Sequence, residues 1–464
     1  MTQENKRAGY RVEDPATGRV VETVDTATDE QVDAALARAA EAQRAWGERS
    51  VEERAAVVQR VADLFGERAD ELAAIISEEM GKRRSEGVEE AEFSRDIFAY
   101  FARKGPELAA DREIETFSGG RAVIRHLPLG VLLGVMPWNF PYYQVARFAA
   151  PNLMNGNAIV LKHAEICPRS AQAIQDIMDE AGVPEGVYTA LHADHDQIAR
   201  IIADERVRGV SLTGSERAGA VIGALAGQHL KKCVLELGGS DPYVVLDAAD
   251  PAEAARTAWA TRMYNMGQAC NSNKRMIVAE DAYDAFVAEL VRLAGEMTPG
   301  ATDTDDETVY QPLSSRGAAE GLAEQVERAR AQGATVHVGG ALRDDTSAYI
   351  APAVLTDVTP EMDAYREELF GPVAVVYRVR DEEEALALAN DSDYGLGGAV
   401  FSQDAEKARA VAARLEVGMA NVNTPAGEGA EIPFGGVKNS GFGRELGPLG
   451  MDEFVNKQLF YIED

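Results

Sequence analysis

The stretch VLLGVMP, residues 131–137, decides the fold because it is an unbroken apolar run that stops at a proline. Runs of this kind are typical of strands buried on both faces of a parallel sheet. Similar runs follow in NAIVLKH (157–163), RGVSLTG (208–214), CVLELGG (233–239) and PYVVLD (242–247). A helix is predicted after Pro141, between the first two runs. This alternation of strands and helices predicts an α/β fold with a doubly wound parallel sheet.

The sequence on both sides of these runs continues the mixed pattern. DEQVDAALARAAEAQRAW (29–46) has an acidic start and a 3.6-residue apolar period, which predicts a helix, and further helices are expected from Val51 to about Arg103. The alternating residues of 112–130 around Ser-Gly-Gly predict a hairpin. A second α/β run follows, with strands in 274–280, 334–340, 372–379 and 397–402 and helices at 281–297 and 381–390. No linker separates the two runs, so we expect them to share a cleft, with ligands at the carboxyl ends of strands.

Composition excludes several classes of partner. The chain has 464 residues, of which 46% are apolar, and this length suits a large core in two or three domains. Its formal charge of −31 argues against nucleic acid and anionic membranes, since both need basic surfaces. The start MTQENKRAGYRV lacks an apolar segment, so no signal peptide is expected. The most apolar stretch is short and broken by Pro and Gly, so no membrane span is expected and we predict a cytoplasmic protein.

Cysteine and histidine positions give no metal site. Cys167, Cys233 and Cys270 are far apart and form no Cys-X-X-Cys pattern, which argues against a disulfide framework and a structural zinc site. His192 and His195 in HADH have no third ligand at a useful spacing, so a surface loop is the better interpretation. We therefore expect no metal.

Three short stretches carry residues suited to catalysis, and each has a structural alternative. Cys270 in YNMGQACNSNKR (264–275) is a small buried hydrophobe, a redox or metal thiol, or a nucleophile. Asn139 in MPWNFPYYQVAR either caps the following helix or donates to a developing oxyanion. Glu236 in VLELGGSDP is either a partly exposed carboxylate at a strand end or a buried general base with a raised pKa. Gly214 and Gly219 in SLTGSERAG form either an ordinary turn or a phosphate-binding helix start.

Taken together, these stretches resemble the NAD(P)-dependent aldehyde dehydrogenase superfamily, and most closely its bacterial succinate-semialdehyde dehydrogenases. The resemblance runs from about residue 10 to the end, with PWNFP, LKHAE, TGSERAG, ELGG, GQAC, EELFGPV, YGLGGAVF and PFGGVKNSGFGRELGPLG in the family's order. The spacing of 34 residues between Glu236 and Cys270 is also the family's. It implies a Rossmann-like NAD-binding domain (1–109 and 129–238), a catalytic domain (239–439) and oligomerisation or bridging segments (110–128 and 440–464). A homodimer or homotetramer is expected.

The resemblance implies a role for each candidate residue. The Cys270 thiolate would attack an aldehyde, the Asn139 amide and the Cys270 N–H would hold the oxyanion, and Glu236 would activate water to hydrolyse the thioester. Lys162 and Glu165 would grip the adenosine ribose, which favours NAD while leaving NADP possible. Further residues implied to bind the cofactor are Trp138, Gly214, Ser215, Gly219, Glu368 and Phe370.

The aldehyde is predicted from Arg147 by the same resemblance. Succinate-semialdehyde dehydrogenases use an arginine at this position to bind the remote carboxylate, although an exposed helix arginine remains an alternative. Glu428 and Glu431 in TPAGEGAE would repel a carboxylate if they faced the substrate, so amino-aldehydes and neutral aliphatic aldehydes stay open. From other classes of function, a cysteine acyltransferase or hydrolase and a catalytically silent member of the fold are alternatives.

Overall fold

The structure is a computed structural model that describes residues 9–117 and 119–463. The expectation about a signal peptide concerns the first twelve residues, of which 1–8 lie outside the described residues. The N-terminal part contains β1 (Tyr10–Asp14), β2 (Arg19–Val24), α1 (Asp29–Glu48), α2 (Val51–Glu67), α3 (Ala69–Met80) and α4 (Arg84–Leu108). The predicted helices in this region are confirmed, and Thr28 and Gln31 form the capping box at the start of α1.

The next part of the chain builds the first sheet. Its elements are β3 (Arg112–Ile114), β4 (Arg121–Pro128), β5 (Val131–Val135), α5 (Tyr143–Met154), β6 (Ala158–Lys162), α6 (Pro168–Glu180), β7 (Tyr188–Ala190), α7 (His195–Ala203), β8 (Val207–Thr213), α8 (Glu216–Gln228) and β9 (Lys232–Glu236). The strands lie in the order β9-β8-β5-β6-β7, all parallel. The chain leaves β5 in one direction and returns to β8 on its other side, which is a topological switch point of a doubly wound sheet.

The C-terminal half builds the second sheet. Its elements are β10 (Pro242–Val245), α9 (Pro251–Met263), β11 (Arg275–Ala279), α10 (Glu280–Glu296), β12 (Thr298–Pro299), β13 (Val309–Tyr310), α11 (Arg316–Gln332), β14 (Thr335–Val338), β15 (Ala353–Thr356), α12 (Asp363–Arg366), β16 (Val373–Val379), α13 (Glu382–Asn390), β17 (Tyr394–Gly395), β18 (Gly397–Phe401), α14 (Ala405–Ala412) and β19 (Met419–Val422). The order is β14-β15-β16-β11-β10-β18-β19, and β14 alone among these strands is antiparallel to its neighbour. The predicted strands and helices of this half are confirmed.

The last elements of the chain contact the first sheet and complete a three-stranded sheet of order β22-β4-β3, called the third sheet below. They are β20 (Val437–Lys438), β21 (Gly441–Phe442), α15 (Gly447–Glu453) and β22 (Val455–Ile462). β21 lies antiparallel to β9 at the edge of the first sheet. β22 pairs with β4, which forms the predicted hairpin with β3. The parallel strands of the first sheet lie within residues 129–238, part of the range expected for the NAD-binding domain. The strands of the second sheet lie within 239–439, the range expected for the catalytic domain.

The two larger sheets meet at different strand ends. The loop after β5 contacts the segment before β11 through Asn139 and Gln268, and the loop after β9 contacts the segment before β16 through Gly239 and Glu368. Gly239 shows how close this approach is, since a Cβ on it would lie 2.4 Å from the Cys270 carbonyl oxygen. No helix in the described part of the chain combines the length and apolar character needed to cross a bilayer.

Candidate active site

A cavity of about 630 Å³ opens beside Cys270. Its walls come from α4, from the β5–α5 loop with the first turns of α5, and from the loop 425–434. Its lining includes aromatic side chains and charged groups of both signs: Phe93, Phe140, Tyr143, Phe434, Glu89, Glu90, Arg147, Glu428 and Arg444. Cys270 therefore lies beside cavity walls that are partly apolar and partly charged.

Cys270 lies in the cavity wall with a half-buried side chain. The chain reaches it through left-handed backbone at Asn265 and Met266, with φ of 48° and 54°. Burial raises the pKa of the Cys270 thiol to about 11, while the positive charges of Arg147 and Lys274 act to lower it. Among the described residues no group of three or more His, Cys, Asp or Glu side chains is arranged to hold a metal. The position in the cavity suits a nucleophile better than a core residue.

Asn139 ties the β5–α5 loop to the loop that carries Cys270. Its side-chain Nδ2 donates to the backbone carbonyl of Gln268 at 2.9 Å, and its backbone carbonyl accepts from Asn265 Nδ2 at 2.9 Å. The capping interpretation is wrong, because Asn139 makes no cap to α5. Glu90 has that function instead, since its Oε1 accepts the N–H groups of Tyr142 and Tyr143 at 2.8 and 3.2 Å.

Glu236 ends β9 in a fully enclosed position, with 2% of its surface exposed. Neither carboxylate oxygen makes a hydrogen bond within the described residues. Burial raises the pKa of Glu236 well above its usual range, Glu445 adds to the rise, and Arg147 opposes it. Gly435 makes room for this carboxylate, because a Cβ there would lie 2.7 Å from Glu236 Oε1. The interpretation as a partly exposed strand end is therefore wrong.

Arg147 is buried, with 1% of its surface exposed, so the exposed-helix interpretation is wrong. Its Nε lies 2.8 Å from Glu445 Oε2, and its guanidinium carbon lies 4.6 and 4.3 Å from the ring centres of Tyr143 and Phe434. Its Nη2 has no hydrogen-bond partner in the part of the chain that the structure describes. Arg147 is also among the residues that line the cavity.

Two carboxylates predicted to hold the cofactor are already paired with lysines. Lys162 Nζ lies 2.5 Å from Glu165 Oε1, and Lys274 Nζ lies 3.1 Å from Glu368 Oε1. Burial acts to raise the pKa of Glu165, but the charge and hydrogen bond of Lys162 outweigh it and hold the pKa below its usual range. Glu368 Oε1 also accepts the Gly239 N–H at 3.0 Å. A ribose diol suits such fixed carboxylates, because its hydroxyls are donors.

The predicted phosphate turn lies between β8 and α8. The Gly214 N–H donates to the Glu236 carbonyl at 3.0 Å, and the Ser215 side chain caps α8 by accepting the Ala218 N–H. Gly219 brings α8 close to the Leu237 side chain, since a Cβ would lie 2.5 Å from Leu237 Cδ1. The turn thus starts a helix at the carboxyl edge of the first sheet, where helix N-termini bind phosphates.

The remaining predicted cofactor residues are aromatic. The rings of Trp138 and Phe370 meet edge to face, with centres 5.8 Å apart and an angle of 87°. Trp138 follows β5 and Phe370 precedes β16, so this contact bridges the two sheets. Together with the two lysine–carboxylate pairs and the helix start, the residues present fit a dinucleotide along this edge.

Several residues that surround the site were not predicted from the sequence. Glu445 is buried beside Arg147, and Lys274 donates to the carbonyls of Ala269 and Cys270 at 2.7 and 2.8 Å. The available signals were the lysine that directly precedes an apolar strand and the glutamate within GRELG. Of the two glutamates in the 424–431 loop, both exposed, Glu428 lines the cavity and Glu431 is not among its lining residues.

Comparison with known proteins gives consistent matches over the whole fold. Residues 1–459 match the sequence model described as Aldehyde dehydrogenase family. A Deinococcus radiodurans protein named succinate-semialdehyde dehydrogenase [NADP(+)] is 52% identical over 96% of this chain and 93% of its own length. An Escherichia coli protein named succinate semialdehyde dehydrogenase [NAD(P)+] is 42% identical over 96% of both chains. The crystal structure of the Streptococcus pyogenes succinic semialdehyde dehydrogenase with NADP+ has a TM-score of 0.95 and 42% identity, covering 98% of this chain and 100% of that chain.

Proposed function

Because this chain belongs to the aldehyde dehydrogenase family and is an NAD(P)-dependent aldehyde oxidoreductase, we propose that it oxidises succinate semialdehyde to succinate through a thioester on Cys270. The single observation that carries the choice of substrate is the buried guanidinium of Arg147, a residue that lines the cavity beside Cys270 and whose Nη2 has no hydrogen-bond partner among the described residues. A charge-assisted bond to a remote carboxylate would use this donor.

The first step belongs to Cys270 and Asn139. The thiolate attacks the aldehyde carbon and forms a thiohemiacetal, and the positive charges of Arg147 and Lys274 stabilise that thiolate in part against the effect of burial. The Asn139 Nδ2 has one hydrogen on the Gln268 carbonyl, which leaves its second hydrogen for the developing oxyanion. When bound, a nicotinamide dinucleotide supplies the acceptor for the hydride. Cys270 then carries the acyl group as a thioester.

The second step belongs to Glu236. Its carboxylate, once ionised, takes a proton from a water molecule that attacks the thioester carbon, and the Cys270 thiolate leaves with the acid released. The raised pKa of Glu236 makes its carboxylate, once ionised, a stronger base toward water than an exposed glutamate. The positive charge of Arg147 acts to lower the pKa of Glu236. A substrate carboxylate bound to Arg147 would offset this charge, so substrate binding is linked to the pKa of the base.

For the cofactor, we propose that Lys162, Glu165, Ser215 and Glu368 hold the dinucleotide, with Gly214 and Gly219 shaping the turn that meets its phosphates. The Glu165 carboxylate would repel a 2′-phosphate, which supports a preference for NAD. NADP remains usable when Glu165 turns away, since Lys162 then faces the phosphate. The names of the two relatives include NADP+ or NAD(P)+.

A second candidate substrate class is supported by the mouth of the cavity. Glu89 and Glu428 line it with exposed carboxylates, which would attract a cation and repel an anion. An amino-aldehyde would be favoured by these groups, whereas succinate semialdehyde is favoured by Arg147 deeper along α5. The same cavity therefore has acidic groups that favour a cationic aldehyde and a basic group that favours an anionic one.

The test is Arg147→Ala assayed with succinate semialdehyde, 4-aminobutanal and hexanal. Loss of a hydrogen bond to a charged group should lower kcat/KM for succinate semialdehyde by about 10- to 100-fold. Hexanal has no carboxylate and serves as the control for damage through Glu445, and Arg147→Lys should retain part of the activity. An equal fall for hexanal would overturn the role of Arg147, and a higher kcat/KM for 4-aminobutanal in the wild type would favour the second class.

We also infer that the third sheet joins subunits in the cytoplasm. β22 is an edge strand with large exposed apolar side chains at Leu459, Phe460, Tyr461 and Ile462. Exposed edges of this kind are commonly covered by a second copy of the chain, which supports a homodimer or homotetramer. The cytoplasm suits a reactive free thiol, because it keeps cysteines reduced.

A further inference from the structure

Gln144 lies in the first turn of α5, and the mechanism above gives it no role. It is 1% exposed and belongs to the lining of the cavity. Its Nε2 donates to Asn139 Oδ1 at 3.0 Å, while its Oε1 makes no hydrogen bond within the described residues. A buried amide with one unsatisfied end has a cost in free energy, so its single bond to Asn139 calls for an explanation.

The carboxamide of Asn139 has two orientations of nearly equal shape. Rotation by half a turn exchanges its oxygen and its NH2 group, so packing alone selects neither orientation. With Asn139 as the proposed oxyanion donor, the electrostatic difference is large, because one orientation would present an N–H to the substrate oxygen and the other would present a lone pair. Hydrogen-bond partners must therefore decide which orientation is populated.

Two neighbours of Asn139 make that decision together. The Gln268 carbonyl is an acceptor and must face the NH2 group, at 2.9 Å. Gln144 Nε2 is a donor and must face the oxygen, at 3.0 Å. Of the four hydrogen-bonding positions of the carboxamide, this leaves one N–H and one lone pair of Oδ1, so a single N–H is available to a ligand.

The position of Gln144 is itself fixed by α5. Its backbone N–H donates to the Phe140 carbonyl at 3.1 Å, which commits it to the helix. Glu90 fixes the start of the same helix by accepting the N–H groups of Tyr142 and Tyr143. Residue 144 is thus held beside Asn139 before substrate arrives, and in this arrangement its Nε2 rather than its Oε1 faces Asn139 Oδ1, which is the preorganisation that oxyanion stabilisation requires.

We propose that Gln144 is the positioning residue of the oxyanion hole, holding the Asn139 carboxamide with its free N–H toward the aldehyde oxygen. The inference rests on the proposed function, since it takes Asn139 as the oxyanion donor. Gln144 acts on the reaction only through Asn139, so its removal matters only while Asn139 is present.

The first experiment is a double-mutant cycle with Gln144→Met and Asn139→Ala, in which Met keeps the length of Gln but cannot donate. Gln144→Met should lower kcat/KM by about 10- to 100-fold alone and by less than about twofold in the Asn139→Ala background. Alkylation of Cys270 by iodoacetamide develops no oxyanion, so its rate should be unchanged in Gln144→Met. A slower alkylation, or an equal fall in both backgrounds, would overturn the inference.

Gln144→Glu gives an independent test that does not depend on the Met variant folding. A protonated Glu can donate to Asn139 Oδ1, whereas an ionised carboxylate cannot. We expect kcat/KM of this variant to fall as pH rises through the pKa of the new carboxyl group, by about tenfold or more relative to wild type. A constant ratio between variant and wild type across pH would contradict the inference.

The single variants separate failure of this inference from failure of the proposed function. If Asn139→Ala alone leaves kcat/KM unchanged, the proposed oxyanion role fails and the inference fails with it. If kcat/KM falls in Asn139→Ala but not in Gln144→Met, only the inference about Gln144 fails.

Discussion

Polar side chains on the two sides of Cys270 differ in how fully they are paired. In the lining of the cavity proposed for the substrate, the Arg147 Nη2 and the Gln144 Oε1 are buried without hydrogen-bond partners among the described residues, and so are both oxygens of Glu236, whose pKa is affected by the charge of Arg147. On the side proposed for the dinucleotide, Glu165 and Glu368 are each bound to a lysine. Buried unpaired groups cost free energy, so a folded protein keeps them where reacting groups will use them. Carboxylates that are paired with a lysine, such as Glu165 and Glu368, are held in position until a ligand replaces that partner.

The strongest test of the unpaired side is Glu236→Gln. Without a base, the thioester on Cys270 should form and then persist, so steady-state turnover should fall by about 10²- to 10⁴-fold. Rapid mixing with aldehyde and NAD should still give one burst of absorbance at 340 nm per active site. Mass spectrometry of the quenched protein should find the acyl group on Cys270.

Cys270→Ala is the matched control for that experiment. It should bind NAD with unchanged affinity and give neither burst nor turnover, because no thiohemiacetal can form. Steady-state activity of Glu236→Gln near the wild-type level would show that another group activates the water. The contrast between unpaired catalytic groups and paired binding groups would then lose its main example.

On the paired side, Glu165→Gln should change the choice of cofactor. The variant removes the charge that faces the 2′ position while Lys162 stays, so the kcat/KM ratio of NADP to NAD should rise by about tenfold. His195 strengthens the expectation when protonated, since its Nε2 lies 3.6 Å from Glu165 Oε1. Glu431→Gln removes an exposed carboxylate that is not among the cavity-lining residues and should leave the ratio unchanged. An unchanged ratio in Glu165→Gln would mean that this pair does not contact the ribose.

The two sides also differ in how much of them the sequence could predict. The strands follow from apolar runs, and their alternation with helices predicts a doubly wound parallel sheet with ligands at the carboxyl ends of its strands, whereas the strand order that makes β5 and β8 the switch point came from the structure. Cys270 precedes its strand β11 and lies at an amino end, where the rule for ligands at carboxyl ends gives no signal. The resemblance to a family identified it as a nucleophile; periodicity did not.

The state of each charged group was beyond the sequence for a physical reason. Whether Glu236 is exposed or enclosed depends on Gly435, and whether Arg147 is a free surface charge depends on Glu445, both of them distant in the chain. Burial and pairing are set by such long-range contacts, whereas sequence patterns report mainly on the local period. The two alternatives for Glu236 were therefore equal until the fold brought these segments together.

The smallest effect we predict concerns stability, and it should have opposite signs on the two sides. The folded pKa of Glu236 is raised, so its stabilising contribution is full below the unfolded pKa and is lost as pH rises through the folded pKa. Glu236→Gln cannot ionise, so its Tm without cofactor should exceed that of wild type by a margin that grows, to a few degrees, as pH rises above the unfolded pKa of about 4.5 toward the raised folded pKa. The folded pKa of Glu165 is lowered, so its contribution is present above the unfolded pKa, and Glu165→Gln should slightly lower Tm at neutral pH. The second effect is small because Glu165 is partly exposed and screened by solvent. Parallel Tm curves for wild type and Glu236→Gln over this range would mean that the carboxyl group finds a partner or solvent when it ionises, and the distinction between unpaired and paired sides would not hold in solution.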